Sequence, residues 1–224
     1  MKKIVSLILA MTMALPLSAC SGGKDKKAFE ASKAAYDNVN SAYEITEKYG
    51  SDIYEAWRLG IYEKKDLRKN GCSTMAEELS LTEDEIAAGA AYTVADIKGE
   101  SWDSLSEEEK EDYIGRADKY FSIFEDDMFS WCVKLTSNAY IVNGKVAEAQ
   151  EYLNEAKTQM KELSNDYSDY EHYPALKGYY TTTSSFFDFC QKPTGTFEQL
   201  KTTVEDYIST AKDYNADLDY IFEE

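Results

Sequence analysis

Apolar side chains recur every three or four residues along almost the whole chain, from Phe29 to Ile221. This spacing places them on one face of an α-helix, so it predicts helices nearly from end to end. All-β chains use many glycines and prolines in turns, but the 224 residues here include only 11 Gly and 3 Pro. With 18 Tyr, 9 Phe and 3 Trp, the chain can form a core despite a formal charge of −18. We therefore expect an all-α protein.

Turn and capping signals divide the apolar pattern into about six helices. The first is predicted to be long, from Phe29 to Leu67 with a weak point at Gly50, and Asn70-Gly71 is expected to end it as a turn. Residues with capping-box spacing mark the starts of three later helices: Thr82 with Glu85, Ser106 with Glu109, and Thr196 with Gln199. Near-heptad spacing and short links predict an elongated antiparallel helical bundle with left-handed crossings.

The first residues have the pattern of an export signal. Lys2 and Lys3 precede an apolar stretch that runs from residue 4 to residue 15. About a dozen apolar residues are too few to cross a bilayer core of ~30 Å as a permanent helix. The pattern therefore predicts a signal peptide that is removed, over residues 1–19.

The end of this signal, Leu17-Ser18-Ala19-Cys20, resembles the lipobox of bacterial membrane lipoproteins. The resemblance implies that the Cys20 thiol receives a diacylglycerol through a thioether bond. It also implies that a dedicated signal peptidase recognises Leu17, Ser18 and Ala19 and cuts before Cys20. The alternative is an ordinary secretion signal followed by a chance cysteine. Two acyl chains hold a protein to a membrane far better than one, so the resemblance implies a lipid-anchored protein on the extracytoplasmic face of the cell membrane.

The rest of the chain divides into a short tether and a helical domain. Residues 20–27 are polar and contain two glycines, so they are predicted to form a flexible tether. The helical bundle is expected to occupy residues 28–224. Its acidic, tyrosine-rich composition and the segment at residues 187–195 resemble exported helical lipoproteins of Firmicutes-type bacteria, a resemblance that brings no activity with it.

The charge of the chain bears on its partners. A chain that starts at Cys20 keeps 22 basic and 42 acidic side chains. Nucleic acids and anionic lipid headgroups bind basic patches, because those patches release the counterions of the phosphates. We therefore expect no nucleic-acid partner, and we expect the membrane to be contacted through the diacylglycerol on Cys20.

Residues typical of catalysis or metal binding are sparse. The single histidine, His172, lies in a polar stretch between two predicted helices, where we expect it to be solvated. Zinc and di-iron sites need several His, Cys or Glu ligands in fixed patterns. Paired carboxylates are frequent, but neither a Gly-x-Ser-x-Gly motif nor a glycine-rich phosphate loop occurs. The sequence therefore predicts a protein that is not an enzyme and that uses no metal or cofactor.

An acidic series near the C-terminus has the spacing of an EF-hand calcium loop, with Asp213, Asn215, Asp217, Asp219 and Glu224 at the ligand positions. However, a leucine occupies the sixth position, where the sharp turn of that loop requires glycine. The helical apolar spacing also continues through the same residues. A helix would point these side chains in different directions, so we expect a helix here and no calcium site.

Tyrosines cluster around the link before the fifth predicted helix, at residues 167, 170, 173, 179 and 180. Phenol rings on a surface can stack on sugars or contact a protein. Tyr167, Tyr170, Tyr173 and Tyr179 are therefore a candidate contact patch. In the alternative interpretation, Tyr167 and Tyr180 belong to the core and the other tyrosines cover a helix junction.

Three cysteines remain once Cys20 carries a lipid: Cys72, Cys132 and Cys190. The extracytoplasmic side of a membrane permits disulfides. An odd number leaves at least one free thiol, and the sequence favours no particular pair. Small buried thiols are the simplest interpretation of the two cysteines within predicted helices.

These observations lead to one main hypothesis and two alternatives. The main hypothesis is a lipid-anchored helical protein that acts through contacts with a protein or with the cell envelope. The alternatives are a ligand-binding lipoprotein that serves a transporter and an envelope hydrolase. An exposed apolar or aromatic strip would favour contacts, whereas a deep cleft with converging polar groups would favour one of the alternatives.

Overall fold

The computed structural model describes residues 22–222, and these residues form α-helices joined by short links, without a β-strand. The all-α prediction is confirmed, although the described part of the chain has nine α-helices and not about six. None of these helices has an apolar stretch long enough to cross a membrane. The helices are α1 (Gly22–Tyr62), α2 (Lys64–Ala76), α3 (Glu83–Ile97), α4 (Glu107–Ile114), α5 (Ala117–Ile123), α6 (Met128–Val142), α7 (Lys145–Asp166), α8 (Tyr173–Gln191) and α9 (Phe197–Phe222).

Helix α1 is the central element. Its 41 residues extend over about 60 Å at 1.5 Å per residue, and it packs against α2, α6, α7, α8 and α9. The predicted weak point at Gly50 is instead a close crossing. A Cβ atom on Gly50 would lie 2.3 Å from the ring of Phe186 on α8. The absence of a side chain therefore lets α8 approach α1 while α1 continues unbroken.

The start of α1 differs from the predicted flexible tether, because residues 22–27 are helical. Two contacts hold the beginning of this helix. Ala28 is buried, and the ring of Phe29 lies 5.5 Å from that of Phe222, at the end of α9. The predicted signal peptide and Leu17, Ser18, Ala19 and Cys20 lie outside the described residues, so the predictions made for them stay predictions.

The end of the first predicted helix also differs. Helix α1 stops at Tyr62, and α2 then runs through the Asn70-Gly71 pair that was expected to be a turn. Asn70 leaves the helical conformation (φ −145°, ψ 60°), but the helix resumes after it. The reason is tertiary, because Gly71 lies under the ring of Phe121, 2.3 Å from where its Cβ would be. Packing against α5 therefore allows helix α2 to continue after the local break at Asn70.

The helix predicted to start at the Ser106 and Glu109 capping box is divided, because residues 107–142 form three helices, α4, α5 and α6. The backbone leaves the helical conformation at Phe124, with φ −101° and ψ 23°. This bend stacks the ring of Phe124 on the indole of Trp131, with 4.3 Å between centroids. The predicted capping boxes at Thr82 and Ser106 are both present, and Thr196 and Gln199 exchange the same reciprocal hydrogen bonds.

The core has two main parts along α1. Beside its N-terminal half, α1 packs with α7, α8 and α9 through Tyr36, Val39, Tyr43, Leu163, Leu176, Tyr179 and Leu218. Beside its C-terminal half, Ile53 and Leu59 of α1 pack with residues of α2 to α6, among them Leu67, Met75, Ile86, Phe121, Trp131 and Leu135, and with residues of α8 and α9. Buried phenols need polar partners. Accordingly, the Tyr36 hydroxyl donates to Asn215 and Asp219 on α9, at 3.0 and 2.9 Å.

Candidate functional site

The tyrosines of the candidate contact patch do not share one exposed surface. Tyr167, Tyr170 and Tyr173 are half-buried at the link between α7 and α8. Tyr179 is fully buried, and its hydroxyl donates to Oδ1 of Asn40 at 2.9 Å. Its inclusion in the patch was therefore wrong. Tyr180, expected in the core by the alternative interpretation, is half-buried, and Tyr179 takes the buried position beside Leu176 and Thr183.

His172 lies in the link between α7 and α8, as expected, but it is half-buried, with 26% of its side chain exposed. Its ring contacts Tyr170 edge-on at 5.2 Å between centroids, and it lies 6.5 Å from the ring of Phe222. Its Nε2 atom is 3.2 Å from the carboxylate of Glu171. The described residues contain no cluster of three or more His, Cys, Asp or Glu side chains that could hold a metal ion.

The acidic series of the C-terminal segment lies within a helix, as predicted. Asp213, Asn215, Asp217 and Asp219 all belong to α9, and Glu224 lies outside the described residues. Asn215 and Asp219 accept hydrogen bonds from Tyr36. These side chains therefore join α9 to α1.

The three cysteines of the described chain are free and buried. Burial raises the pKa of the Cys132 thiol and of the Cys190 thiol. Burial, with a contribution from nearby Asp118, also raises the pKa of Cys72. Because the thiolate is the nucleophile and metal ligand, these cysteines are poor candidates for either role.

An apolar groove lies between α1, α6 and the residues that follow α8, with a volume of about 550 Å³. We call this the apolar groove. Its walls include Trp57, Phe129, Val133, Ser137 and Ile141. Phe129, Val133, Ser137 and Ile141 follow one another at intervals of four residues along α6, so they share one face of that helix. Phe129 and Ile141 remain 37% and 45% exposed, so apolar surface is open to solvent here.

Close packing of α1 and α6 forms one end of the apolar groove. A Cβ atom on Gly60 would lie 2.4 Å from Cα of Phe129, so only glycine allows this approach. The indole of Trp57 stacks on the Phe129 ring, with 5.7 Å between centroids and 21° between planes. The glycine therefore fixes the relative position of Trp57 and Phe129 in the wall.

Asn138 contributes a polar group to the apolar groove. Thr93 donates its hydroxyl to the carbonyl of Gly89 at 2.7 Å, so its oxygen can only accept from Asn138, whose Nδ2 lies 2.8 Å away. This fixes the orientation of the Asn138 amide. Asn138 is only 8% exposed. Its Oδ1 atom accepts no hydrogen bond from the described residues. An acceptor thus remains available in the groove.

The charges around the apolar groove contrast with the rest of the chain. Acidic residues outnumber basic ones by 42 to 24 in the sequence, yet the residues lining the groove include two lysines and no carboxylate. Lys134 pairs with Asp96 at 3.0 Å. Lys192 is exposed at the end of α8 and has no ion pair within the described chain. The one unpaired charge among the residues that line the groove is therefore positive.

A second, polar pocket of about 310 Å³ lies between α1, α3, α6 and α7. Tyr140 and Ser80 line it, and behind them Asp52 is 3% exposed. The Asp52 carboxylate accepts hydrogen bonds from the Ser80 backbone N–H at 2.9 and 3.1 Å and from the Tyr140 hydroxyl at 2.8 Å. Burial raises the pKa of Asp52. Because its bonds are internal, we assign Asp52 a structural role.

Comparisons with protein families, curated proteins and solved structures gave no match to this chain. The function of this chain is therefore inferred from its own residues and their contacts. The apolar groove was missed from the sequence, although one signal was present. Residues 128–142 carry a single charge, Lys134, in an otherwise highly charged chain. A helix that is apolar on most sides is either buried or covered by something else.

Proposed function

We propose that this protein is a lipid-anchored, extracytoplasmic helical protein that acts through noncovalent contacts with a protein or another component of the cell envelope. The observation that carries the proposal is the segment Leu17-Ser18-Ala19-Cys20 at the end of an export signal. In this proposal residues 1–19 are removed and Cys20 holds a diacylglycerol. The helical body, an elongated antiparallel bundle, then stands on the outer face of the membrane.

The apolar groove supports action through noncovalent contacts. Isolated apolar side chains are common on protein surfaces, but contiguous apolar surface marks interaction sites. Trp57, Phe129 and Ile141 form such a surface. The groove lacks carboxylates and histidines, so the contacts it offers are apolar and cationic.

The second candidate function is that of a ligand-binding lipoprotein that serves a transporter. One observation favours it. The volume of the apolar groove, about 550 Å³, falls in the range of small-molecule sites, roughly 300–1,000 Å³.

Replacement of Cys20 tests the anchor. In the Cys20→Ser variant the thioether cannot form, so we expect loss of labelled acyl chains supplied to the cells and loss of the diacylglycerol mass from the purified chain. The Cys72→Ser variant is the matched control, because its thiol is buried within the fold. It should keep the label. A natural chain of unmodified mass, released to the medium, would contradict the proposal.

A further inference from the structure

We propose that the apolar groove binds a small amphiphile, with an acyl or aryl body, an amide N–H or hydroxyl, and an anionic headgroup. The inference develops the ligand-binding function given above as the second candidate, because it places a small molecule and not a protein in the groove. It does not depend on the lipid anchor, because the groove is formed by residues 49–193.

The size of the apolar groove favours a small molecule over a protein partner. A specific protein interface buries about 800 Å² on each side. Here two large apolar side chains, Phe129 and Ile141, are exposed, and their apolar neighbours in the wall, Trp57 and Val133, are half-buried. The concave volume of about 550 Å³ instead suits a ligand that inserts between α1 and α6.

The side chains in the walls of the groove determine which apolar group of a ligand can fit. Trp57 and Phe129 offer stacked aromatic faces at one end, and Val133 and Ile141 continue an aliphatic surface along α6. Ser137 lies between these two aliphatic residues and is small, so it leaves room for a chain. Each CH₂ group removed from water in such a site adds to the affinity.

The polar groups of the groove indicate the headgroup charge and the hydrogen-bond donor that the ligand should carry. Lys192 favours an anionic headgroup, since it has no ion pair within the described chain, whereas Lys134 is already paired with Asp96. Oδ1 of Asn138 has a fixed orientation and accepts no bond from the described residues, so an N–H or O–H of the ligand would satisfy it. An N-acyl amino acid combines an acyl chain, an amide N–H and a carboxylate, and it is the simplest compound that meets all three requirements.

Photoaffinity labelling tests the proposal on the full chain as its host produces it. The probe is N-dodecanoylglycine with a diazirine on the acyl chain, and labelled peptides are mapped by mass spectrometry. We expect labels on α6 and on α1 near Trp57. Unlabelled N-dodecanoylglycine should compete at a concentration about fivefold or more below that of dodecyltrimethylammonium, because the two differ in the sign of the headgroup charge. Dodecanoate, which lacks the amide, should fall between them.

Two exposed isoleucines provide a matched pair of variants. Ile141→Asp removes part of the apolar wall and adds a carboxylate, so it should lower labelling at least about fivefold. Ile123→Asp introduces the same charge at a residue that is 67% exposed and outside the groove, so it should leave labelling unchanged. Circular dichroism checks that both variants fold.

Three results would overturn the proposal. They are equal competition by the cationic and anionic compounds, labelling that Ile141→Asp leaves unchanged, and labels scattered over the surface. Release of the protein from the membrane in the Cys20 experiment would leave these outcomes unaffected, so failure of the anchor and failure of the groove are distinguishable.

Discussion

Asp52 is a carboxylate at the meeting point of α1, the link between α2 and α3, and α6. Its partners, the backbone N–H of Ser80 and the hydroxyl of Tyr140, come from two other segments of the chain. Tyr140 is held in turn by a ring stack with Tyr49 at 4.4 Å. A buried charge is costly unless it is hydrogen-bonded, so these contacts make the burial of Asp52 tolerable and fix the position of the link.

The pH dependence of folding should report the burial of Asp52. Its pKa in the folded protein lies above the ordinary value of 3.8, so the folded state binds the proton more tightly than the unfolded state. The contribution of this group to stability is therefore present below about pH 4 and is lost as the pH rises through the raised pKa, with a slope of up to about 1.4 kcal/mol per pH unit.

We expect the Asp52→Asn variant to lack this contribution. Urea denaturation from pH 4 to pH 7 should show the stability of the natural chain falling relative to that of Asp52→Asn. The exposed Asp206→Asn change should leave the pH profile unchanged. A constant difference between the natural chain and Asp52→Asn at all pH values would contradict the raised pKa.

Gly50 offers a second test at the residue scale. Alanine normally stabilises a helix relative to glycine, by roughly 1 kcal/mol. At Gly50 the new Cβ would overlap the ring of Phe186, and overpacking of this kind costs about 1–3 kcal/mol. Gly50→Ala should therefore reduce the free energy of unfolding.

Gly115→Ala is the control, since its nearest contact is one carbonyl at 3.3 Å, and it should change stability by less than about 0.5 kcal/mol. Equal effects in denaturation curves would be inconsistent with the close crossing.

At the scale of the elements, the capping box of α3 also connects two helices. Glu85 accepts from the Thr82 backbone N–H at 2.8 Å, and its other oxygen accepts from Asn143 at the end of α6 at 3.0 Å. Thr82→Ala removes the side-chain cap and should cost about 1 kcal/mol. Thr202→Ala, on the exposed side of α9, should cost less than about 0.5 kcal/mol. Thermal unfolding of the two variants makes the comparison, and a Thr82 variant as stable as the control would show that the cap contributes nothing.

The elements that the sequence predicted well depend on local contacts. Thr82 and Glu85 are three residues apart, so their capping box is encoded within a single turn. The Asn70-Gly71 break was mispredicted because Phe121, fifty residues later, packs over Gly71 and favours continuation of the helix. Local preference is a weak guide where tertiary packing opposes it.

The same distinction explains the apolar groove. Trp57 and Phe129 are far apart in sequence, and their stack depends on the approach that Gly60 allows. No periodic pattern encodes such a pairing. Tyr179 was misplaced for a different reason. Tyr179 and Tyr180 lie three and four residues after Leu176, and both spacings fit the same face of a helix. Only packing against α1 makes Tyr179 the buried one of the two.

At the scale of the whole molecule, the buried thiols should report unfolding. Cys72, Cys132 and Cys190 lie on α2, α6 and α8, and all three belong to the core part beside the C-terminal half of α1. Burial raises the pKa of each thiol, which disfavours the reactive thiolate. We expect none of the three to react with a maleimide in the native protein, and all three to react over one urea transition.

Mass spectrometry of the labelled peptides would measure this. Modification of Cys72 before the others would indicate that α2 opens by itself, which would contradict a core shared by the three helices. The natural chain and the Cys20→Ser variant should give the same transition.

The length of α1 has a consequence for where a ligand can come from. Residues 49 and 57 of the groove lie 27 and 35 residues beyond the start of this helix at Gly22. With Cys20 in the bilayer and α1 upright, the opening stands roughly 40–50 Å above the anchor at 1.5 Å per residue. The polar layer of a bilayer leaflet is only about 5–8 Å thick. If Cys20 carries the proposed lipid and α1 stands upright, an amphiphile still embedded in that membrane would be out of range, and the groove would be filled by molecules that have already left the membrane for the surrounding aqueous space.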